Sequence, residues 1–470
     1  MMHPSRLTLL SAALLLSGCI NLAPDYQQPK APLPQQWPGA STSQFGQASI
    51  DLGWRQFIID QRLRQVIEQS LQNNRDLRVA LLNVEKARAL YRIQRAELLP
   101  AISLDGSGSH SNTPADLNGS DSAVTSHQNS VALGFSNYEL DLFGRLRNLS
   151  DAALEDYLSL EETRRSTQIS LISEVANAWL TLAADSALLE LANSTLTSQQ
   201  ASYDLQQRSH GLGNTSGLSL AQAQTTVESA RVDVAAYQSQ VQLDRNALDL
   251  LVGATVADDL LPMTLQQNTA ELLEIPAGLP SSLLQQRPDV LAAEHNLKAA
   301  NADIGAARAA FFPSITLTAA AGTSSSDLSG LFKSGSGAWS FAPNISLPIF
   351  NAGSNQANLD AAKSEQAIQL ASYEKSLQTA FREVADALAV RSTLKQRLEA
   401  QQALTDATAR SHDLAEALYR NGASSYLDAL DAQRQLYAAR QDLISLQLTE
   451  QSNRITLYKT LGGGLAGSAD

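Results

Sequence analysis

Residues 145–210 read RLRNLSDAALEDYLSLEETRRSTQISLISEVANAWLTLAADSALLELANSTLTSQQASYDLQQRSH, without one Gly or Pro. Ala, Leu, Gln, Glu and Arg, all good helix formers, are abundant in it. At the usual rise per residue the stretch predicts one helix of roughly 100 Å, several times the ordinary length. Val175, Leu182, Leu189, Leu196 and Tyr203 recur at heptad spacing. That is the pattern of coiled-coil-like packing. Small residues flank the row, as a helix with close neighbours on two sides requires.

The same reading extends outward. Breaker-free windows also cover 54–99, 218–252, 354–421 and 423–461, and Leu370, Leu377 and Val384 form a second heptad row. Between the windows the period changes to two. Ile102 and Leu104 alternate with Ser103, Asp105 and Ser107, and Val131, Leu133 and Phe135 with Ala132, Gly134 and Ser136. Ile315 and Leu317 alternate with Ser314, Thr316 and Thr318. Phe341, Ile345, Leu347 and Ile349 alternate with Ser340, Asn344 and Ser346. Four strands are predicted, in two pairs, each joined by a Gly/Ser/Asn-rich loop at about 109–129 and 322–338. Pattern alone would also fit a soluble sandwich.

The halves resemble each other. A shift of 213 residues sets Ala80, Asn83, Arg95, Pro100 and Ile102 on Ala293, Asn296, Arg308, Pro313 and Ile315. A shift of 209 sets 174–176 on 383–385, Gly213 on Gly422 and Gly253 on Gly462. The chain thus reads as an internal duplication, each half helix, strand, loop, strand, very long helix, tight turn, long helix.

Composition narrows the function. The 470 residues carry 47 acidic against 34 basic side chains, net -13, so no nucleic-acid partner is expected. The single Cys excludes an internal disulfide and a Cys-based zinc site. No nucleophile–base pair, phosphate-binding Gly loop or metal-ligand cluster stands out, so no enzyme is expected. Arg6, the apolar run 7–16 and Ser17-Gly18-Cys19 describe a secretory signal ending in a lipobox-like sequence. Cleavage would leave Cys19 as a lipidated (palmitate-bearing) N-terminus, and Ile20 in place of Asp directs such a lipoprotein to the outer membrane. The lipid is the only expected covalent cofactor.

No apolar run after Cys19 approaches the length of a spanning helix. Strands cross a bilayer only in a closed barrel, and four are too few. Several chains must share one barrel. Two would give eight strands, three twelve and four sixteen, and strand counting does not choose.

The motifs now assemble into a resemblance. Segments 22–26 (LAPDY), 73–78 (NNRDLR), 139–145 (ELDLFGR), 301–315 (NADIGAARAAFFPSI), 348–353 (PIFNAG), 383–389 (EVADALA) and 461–464 (LGGG) resemble the TolC-type outer-membrane efflux proteins. Within them they are similar to the OprM/CusC-like lipoprotein subgroup, above all to its copper/silver ducts. The resemblance covers nearly the whole chain. It implies an α+β membrane protein: a homotrimer whose twelve strands form one outer-membrane β-barrel and whose twelve helices form a periplasmic α-barrel. On this plan 1–18 is the signal peptide and 19–53 the lipidated N-terminal segment. Segments 54–99 and 287–312 are tunnel helices, and 100–143 and 313–350 are strand pairs. Segments 144–252 and 353–461 are long helical hairpins, and 253–286 and 462–470 are equatorial or C-terminal.

The resemblance also implies a passive exit duct for metal ions or drugs, tied to antibiotic or metal resistance. A periplasmic adaptor and an inner-membrane transporter of the resistance-nodulation-division type would be its partners in a Gram-negative cell. The functional ends are then the helix turns, with Gly211, Gly213, Gly217, Gly422 and Ser424 as adaptor-contact tips. Tyr419, Asp428 and Asp431 match the family's entrance residues, and three chains would aim six carboxylates at one axis. Ser424 and Ser219 stand where an arginine and its partner carboxylate would be, so closure must differ, with Arg420 a further candidate. The plainer alternative is that an Asp in a first helical turn only complements the helix dipole.

His110 and His127 flank the first loop, and without a third ligand they read as loop residues, so no metal site is expected. Met263 is the only Met of the mature chain, which argues against a soft-metal relay. Trp339, Phe341, Tyr138, Phe143, Phe311, Phe312 and Phe350 are candidates for interfacial girdles. Two rival readings remain: the outer component of type I protein secretion, and a non-pore structural periplasmic lipoprotein.

Overall fold

The computed structural model describes residues 20–30, 32–34, 53–119, 121–262, 265 and 281–463. The expected signal peptide, Cys19, Met263 and most of the expected equatorial segments lie outside them. The described helices are α1 (Trp54–Phe57), α2 (Gln61–Asn73), α3 (Arg75–Ala96), α4 (Ala115–Asn118), α5 (Arg145–Gly211), α6 (Gly217–Val252), α7 (Pro288–Ala309), α8 (Ser354–Arg420) and α9 (Tyr426–Thr460). The strands are β1 (Ser103–Thr113), β2 (Val124–Leu140), β3 (Ser314–Ser325) and β4 (Gly337–Ser346). No described helix is long and apolar enough to cross a membrane.

The expected single helix over 54–99 is three helices. Asp60 accepts from the backbone N–H groups of Arg62 and Leu63 and starts α2. Asn74 accepts from Leu77 N–H and donates to Leu251 O at 2.9 Å, ending α2 and opening α3. Both breaks use short polar side chains that compete with the helix for backbone groups, so no Gly or Pro is needed. By contrast α5 and α8 run 67 residues each without interruption.

Contacts divide the chain into two units, residues 1–30, 83–160 and 292–373 in one and 31–82, 161–291 and 374–470 in the other. The first unit holds the sheet. Its four strands are antiparallel in the order β1-β2-β3-β4, so the strand pairs of the two halves join through β2 and β3. Register sorts the side chains. Leu104 faces Leu133, Ala319 lies between Phe135 and Phe341, and Ile315 lies between Leu140 and Ile345. On the other face Ser107 meets Ser130, Ala320 lies between Gly134 and Ser340, and Thr316 between Glu139 and Asn344. One face is apolar and the other small and polar. A bulge at Phe135–Tyr138 inserts the extra residue that returns Tyr138 to the apolar face opposite Leu317.

The strands are longer than the alternation predicts, and the expected loops are correspondingly short. Ser111 and Ser126 hydroxyls meet at 2.7 Å and Asn112 donates to Thr125 at 3.3 Å across what reads as loop. Such cross-strand pairs stabilise a ladder whose residues have weak strand propensity. At the other end β4 stops at Ser346, leaving Leu347, Ile349 and Phe350 outside it.

The second unit is helical. Phe57 stacks on Tyr458 at 4.1 Å, and fully buried Trp179 donates from Nε1 to Leu260 O at 3.0 Å. Val175, Leu182, Leu377 and Val384 of the heptad rows are buried, as are Ala176, Ala183 and Ala184 beside them. Leu189, Leu196 and Tyr203 are only half-buried, so the row loses its core role along α5. Buried Arg287 ties three segments together, donating to Asp289 and Glu383 at 2.8 and 2.9 Å and to Thr460 O at 2.8 Å.

Candidate functional site

The two turns between long helices lie in the second unit and share one backbone solution. Gly213 (φ 76) follows α5, with its N–H on His210 O and Asn214 N–H on Ser209 O, both at 2.9 Å. Gly422 (φ 71) follows α8, with its N–H on Tyr419 O and Ala423 N–H on Leu418 O, again at 2.9 Å. These bonds close a helix end through a left-handed residue, which suits Gly. Ser216 then caps α6 by accepting from Ser219 N–H, and Ser425 caps α9 by accepting from Asp428 N–H.

The side chains differ. The Asp428 carboxylate returns to Ser425, accepting from its N–H at 3.1 Å and its hydroxyl at 2.8 Å, which completes a reciprocal cap. Asp431 accepts from Gln435 Nε2 at 2.8 Å, and both Asp residues are exposed. Asp428 thus lies in the first turn of α9 and closes its cap, and both carboxylates face solvent. Ser219 sits in the corresponding turn of α6, its hydroxyl 3.0 Å from that of Ser216. Arg420 is engaged by Glu416 of its own helix at 2.6 Å. Ser424 Oγ is buried with no hydrogen-bond partner among the described residues. Gly211 ends α5 in open space, and Gly217 begins α6, where a Cβ would touch the His210 ring at 3.9 Å.

Tyr419 joins the two turns. Gln206 of α5 donates from Nε2 to its hydroxyl, and Thr215 donates to Gln206 Oε1 at 3.2 Å. The Tyr419 ring meets Tyr426 edge to face at 5.5 Å. Beside them lies a cavity of about 160 Å³, lined by Leu205, Gln206, His412, Glu416, Tyr419 and Tyr426 among others. Gln206 and Tyr426 were not legible as site residues. A lone Gln in a helix carries no signal, and Tyr426 occupies the place of Gly217 in the other turn.

In the first unit two separated motifs meet. Segment 22–26 (LAPDY) lies along α7, where Asn301 donates to Pro24 O at 2.7 Å and Arg308 to Leu22 O at 2.9 Å. Tyr26 and Gln28 both donate to Glu294 at 3.2 Å. A Cβ on Gly305 would come within 2.8 Å of Ala23 Cα, so the close approach requires Gly there. Ile20 N–H reaches Leu142 O at 3.2 Å, pinning the first described residue just past the end of β2.

The candidate girdle residues divide. Trp339 and Phe341 stand on the apolar sheet face, 81% and 57% exposed. Tyr138 also donates to Leu98 O at 3.2 Å, and Phe143 stacks on Phe312 at 4.6 Å. Phe311 is partly exposed and Phe350 almost fully so. His110 and His127 are not the loop residues that their spacing predicts but directly opposed residues of β1 and β2.

A four-stranded sheet with one apolar and one small polar face, joined in sequence to helices of 67 residues, suits the class of outer-membrane channel proteins. Residues 66–254 and 279–463 match the family described as "Outer membrane efflux protein". The chain belongs to that family and is an efflux channel of the outer membrane. It is 50% identical over 467 residues to the "Toluene efflux pump outer membrane protein TtgC" of Pseudomonas putida, covering 98% of this chain and 96% of the relative. It is 45% identical over 470 residues to the "Cation efflux system protein CusC" of Escherichia coli, covering 98% and 99%. Among solved structures it is similar to the open state of the MtrE outer membrane channel of Neisseria gonorrhoeae. That match has a TM-score of 0.85 and 40% identity over 95% of this chain and 98% of the other.

Proposed function

We propose that three copies of this chain form a passive exit duct, the outer part of a pump powered elsewhere. The single observation that carries this is the sheet. Its apolar face is exposed, its other face is small and polar, and among the described residues β1 and β4 each have one pairing edge unused. Lipid on one face and water on the other is the environment that such a sheet fits. Edge pairing between neighbouring chains closes a barrel and removes the edges. A trimer closes it with twelve strands. Leu82, Leu90 and Ile93 on α3, each at least half exposed, are apolar surface for the neighbouring copy to cover. The recurrence of element order supports descent by internal duplication.

The two helix turns meet a periplasmic adaptor. The inner-membrane transporter, of the resistance-nodulation-division type, supplies energy and chooses the cargo. Asp428 and Asp431 form a carboxylate ring at the entrance that favours cations. A lipid on Cys19 anchors the segment that Ile20 begins, beside the end of β2. The small polar sheet face offers hydroxyls and methyls rather than soft ligands, so the duct sorts cargo by size. Small organic toxicants and metal ions both fit, and the relatives' names include both.

The test is growth of a deletion strain, with other such ducts removed, in graded toluene, antibiotics, copper and silver. Hypersensitivity to the organic compounds alone assigns an organic-solute pump, and to copper and silver alone a metal pump. Unchanged growth in every condition overturns the proposal and favours protein export or a structural role.

A further inference from the structure

The apolar face of the sheet ends in a polar pair. Along β1 the residues on that face are Leu104, Gly106, Gly108, His110 and Asn112, opposite Leu133, Val131, Asn129, His127 and Thr125 of β2. His110 and His127 are thus a direct cross-strand pair near the turn of the first hairpin, and both are exposed. Their Nδ1 atoms face each other in direct contact, and the rings meet edge to face with centroids 4.6 Å apart. Neighbours on the same face are neutral: Gly108 and Asn129 to one side, Asn112 bonded to Thr125 on the other. The flanking pairs Ser109–Gln128 and Ser111–Ser126 belong to the opposite face. Two imidazole nitrogens converging from adjacent strands, on a backbone ladder that fixes their separation, form a chelate.

We propose that His110 and His127 bind one divalent transition-metal cation, Cu²⁺ before Zn²⁺, through both Nδ1 atoms. A metal–nitrogen bond of about 2.0–2.1 Å at a tetrahedral or square site needs the nitrogens roughly 3 Å apart. Small rotations of two exposed side chains supply that. Both Nδ1 atoms bind as neutral imidazoles, so the ring that donates across the pair moves its single proton from Nδ1 to Nε2 and the other already carries its proton there. Two protein ligands leave positions for water, so the site is open and of moderate affinity. Imidazole favours Cu²⁺ among the first-row divalent ions. The site lies on the face opposite the small polar one, so it is not a step in cargo transport. It staples β1 to β2 at the hairpin end, and it stands or falls independently of the pump reading.

The experiment titrates the purified full-length protein in detergent with Cu²⁺ and Zn²⁺ by calorimetry, alongside His110→Asn, His127→Asn and His210→Asn. One Cu²⁺ per chain, weakened at least tenfold by either sheet substitution and unchanged by His210→Asn, is expected. Binding that survives both sheet substitutions, or that His210→Asn abolishes, overturns the proposal. If a variant misfolds, the electron paramagnetic resonance spectrum of Cu²⁺ on the unaltered protein decides. Coupling to two imidazole nitrogens supports the site, and coupling to one or none overturns it.

Discussion

The turn after α5 and the turn after α8 are 209 residues apart and share their backbone hydrogen bonds, their left-handed Gly and their Ser cap. Their side chains share little. His210, Gly211, Gly217, Ser219 and Gln222 in the first stand where Tyr419, Arg420, Tyr426, Asp428 and Asp431 stand in the second. Two equivalent scaffolds therefore carry different chemistry, with charge and aromatic bulk on one turn. The lesson is that backbone capping fixes the shape of a helix turn and leaves its side chains free to differ. The same asymmetry recurs within the helices. Asp185 of α5 interacts with a second carboxylate, Asp244 of α6, where the second half has Leu394 and Asn453.

The largest expected effect breaks the comparison at its charged turn. Asp428→Asn with Asp431→Asn, measured as single-channel currents in planar bilayers, lowers cation preference severalfold. Ser219→Ala with Gln222→Ala in the first turn leaves it unchanged. Identical currents from both double variants would remove the carboxylate ring from the entrance.

The next effect should be nearly equal at the two turns. Gly213→Ala and Gly422→Ala each force a Cβ into a left-handed backbone, at a cost of about 1–2 kcal/mol. Hydrogen exchange of the turn amides should then quicken by roughly tenfold. Ser216→Ala costs about 1 kcal/mol, and Ser425→Ala somewhat more because its cap is reciprocal. A turn that tolerates its Ala without faster exchange is held by contacts other than its own caps.

The smallest effect concerns the acidic pair. Burial first, then the neighbouring Asp244 carboxylate, push Asp185 up to about 7. The folded state holds more protons than the unfolded chain between the ordinary Asp range and that value. The pair's stabilising contribution is therefore complete in acid and is lost as pH rises through about 7. Asp244→Asn copies Asn453 of the other half and removes the repulsion. The thermal midpoint should rise by about 2–4 °C at pH 8 and stay level at pH 5. A shift of equal size at both pH values would show packing, not charge, to be the cause.

The long helices were legible because breakers are absent from 145–210 and 354–421 and their composition favours helix. The alternation of the strands was legible too, since period two needs no knowledge of partners. The breaks at Asp60 and Asn74 were not, because Asp and Asn also occur inside helices and only their bonds to nearby backbone reveal a cap. Of the candidate site, Tyr419, Asp428 and Asp431 were expected from the resemblance alone. Gln206 gained its place only through the distant Tyr419 hydroxyl.

The sequence by itself determined what depends on neighbours along the chain: helix extent, strand faces, the Gly at each turn and the Ser that follows it. Tertiary structure decided what depends on register between distant segments. It set His110 against His127, laid 22–26 along α7 and joined the two strand pairs through β2 and β3. Local propensities are read residue by residue. Register is chosen by the summed fit of many side chains across strands and helices, and that sum exists only once the chain has folded.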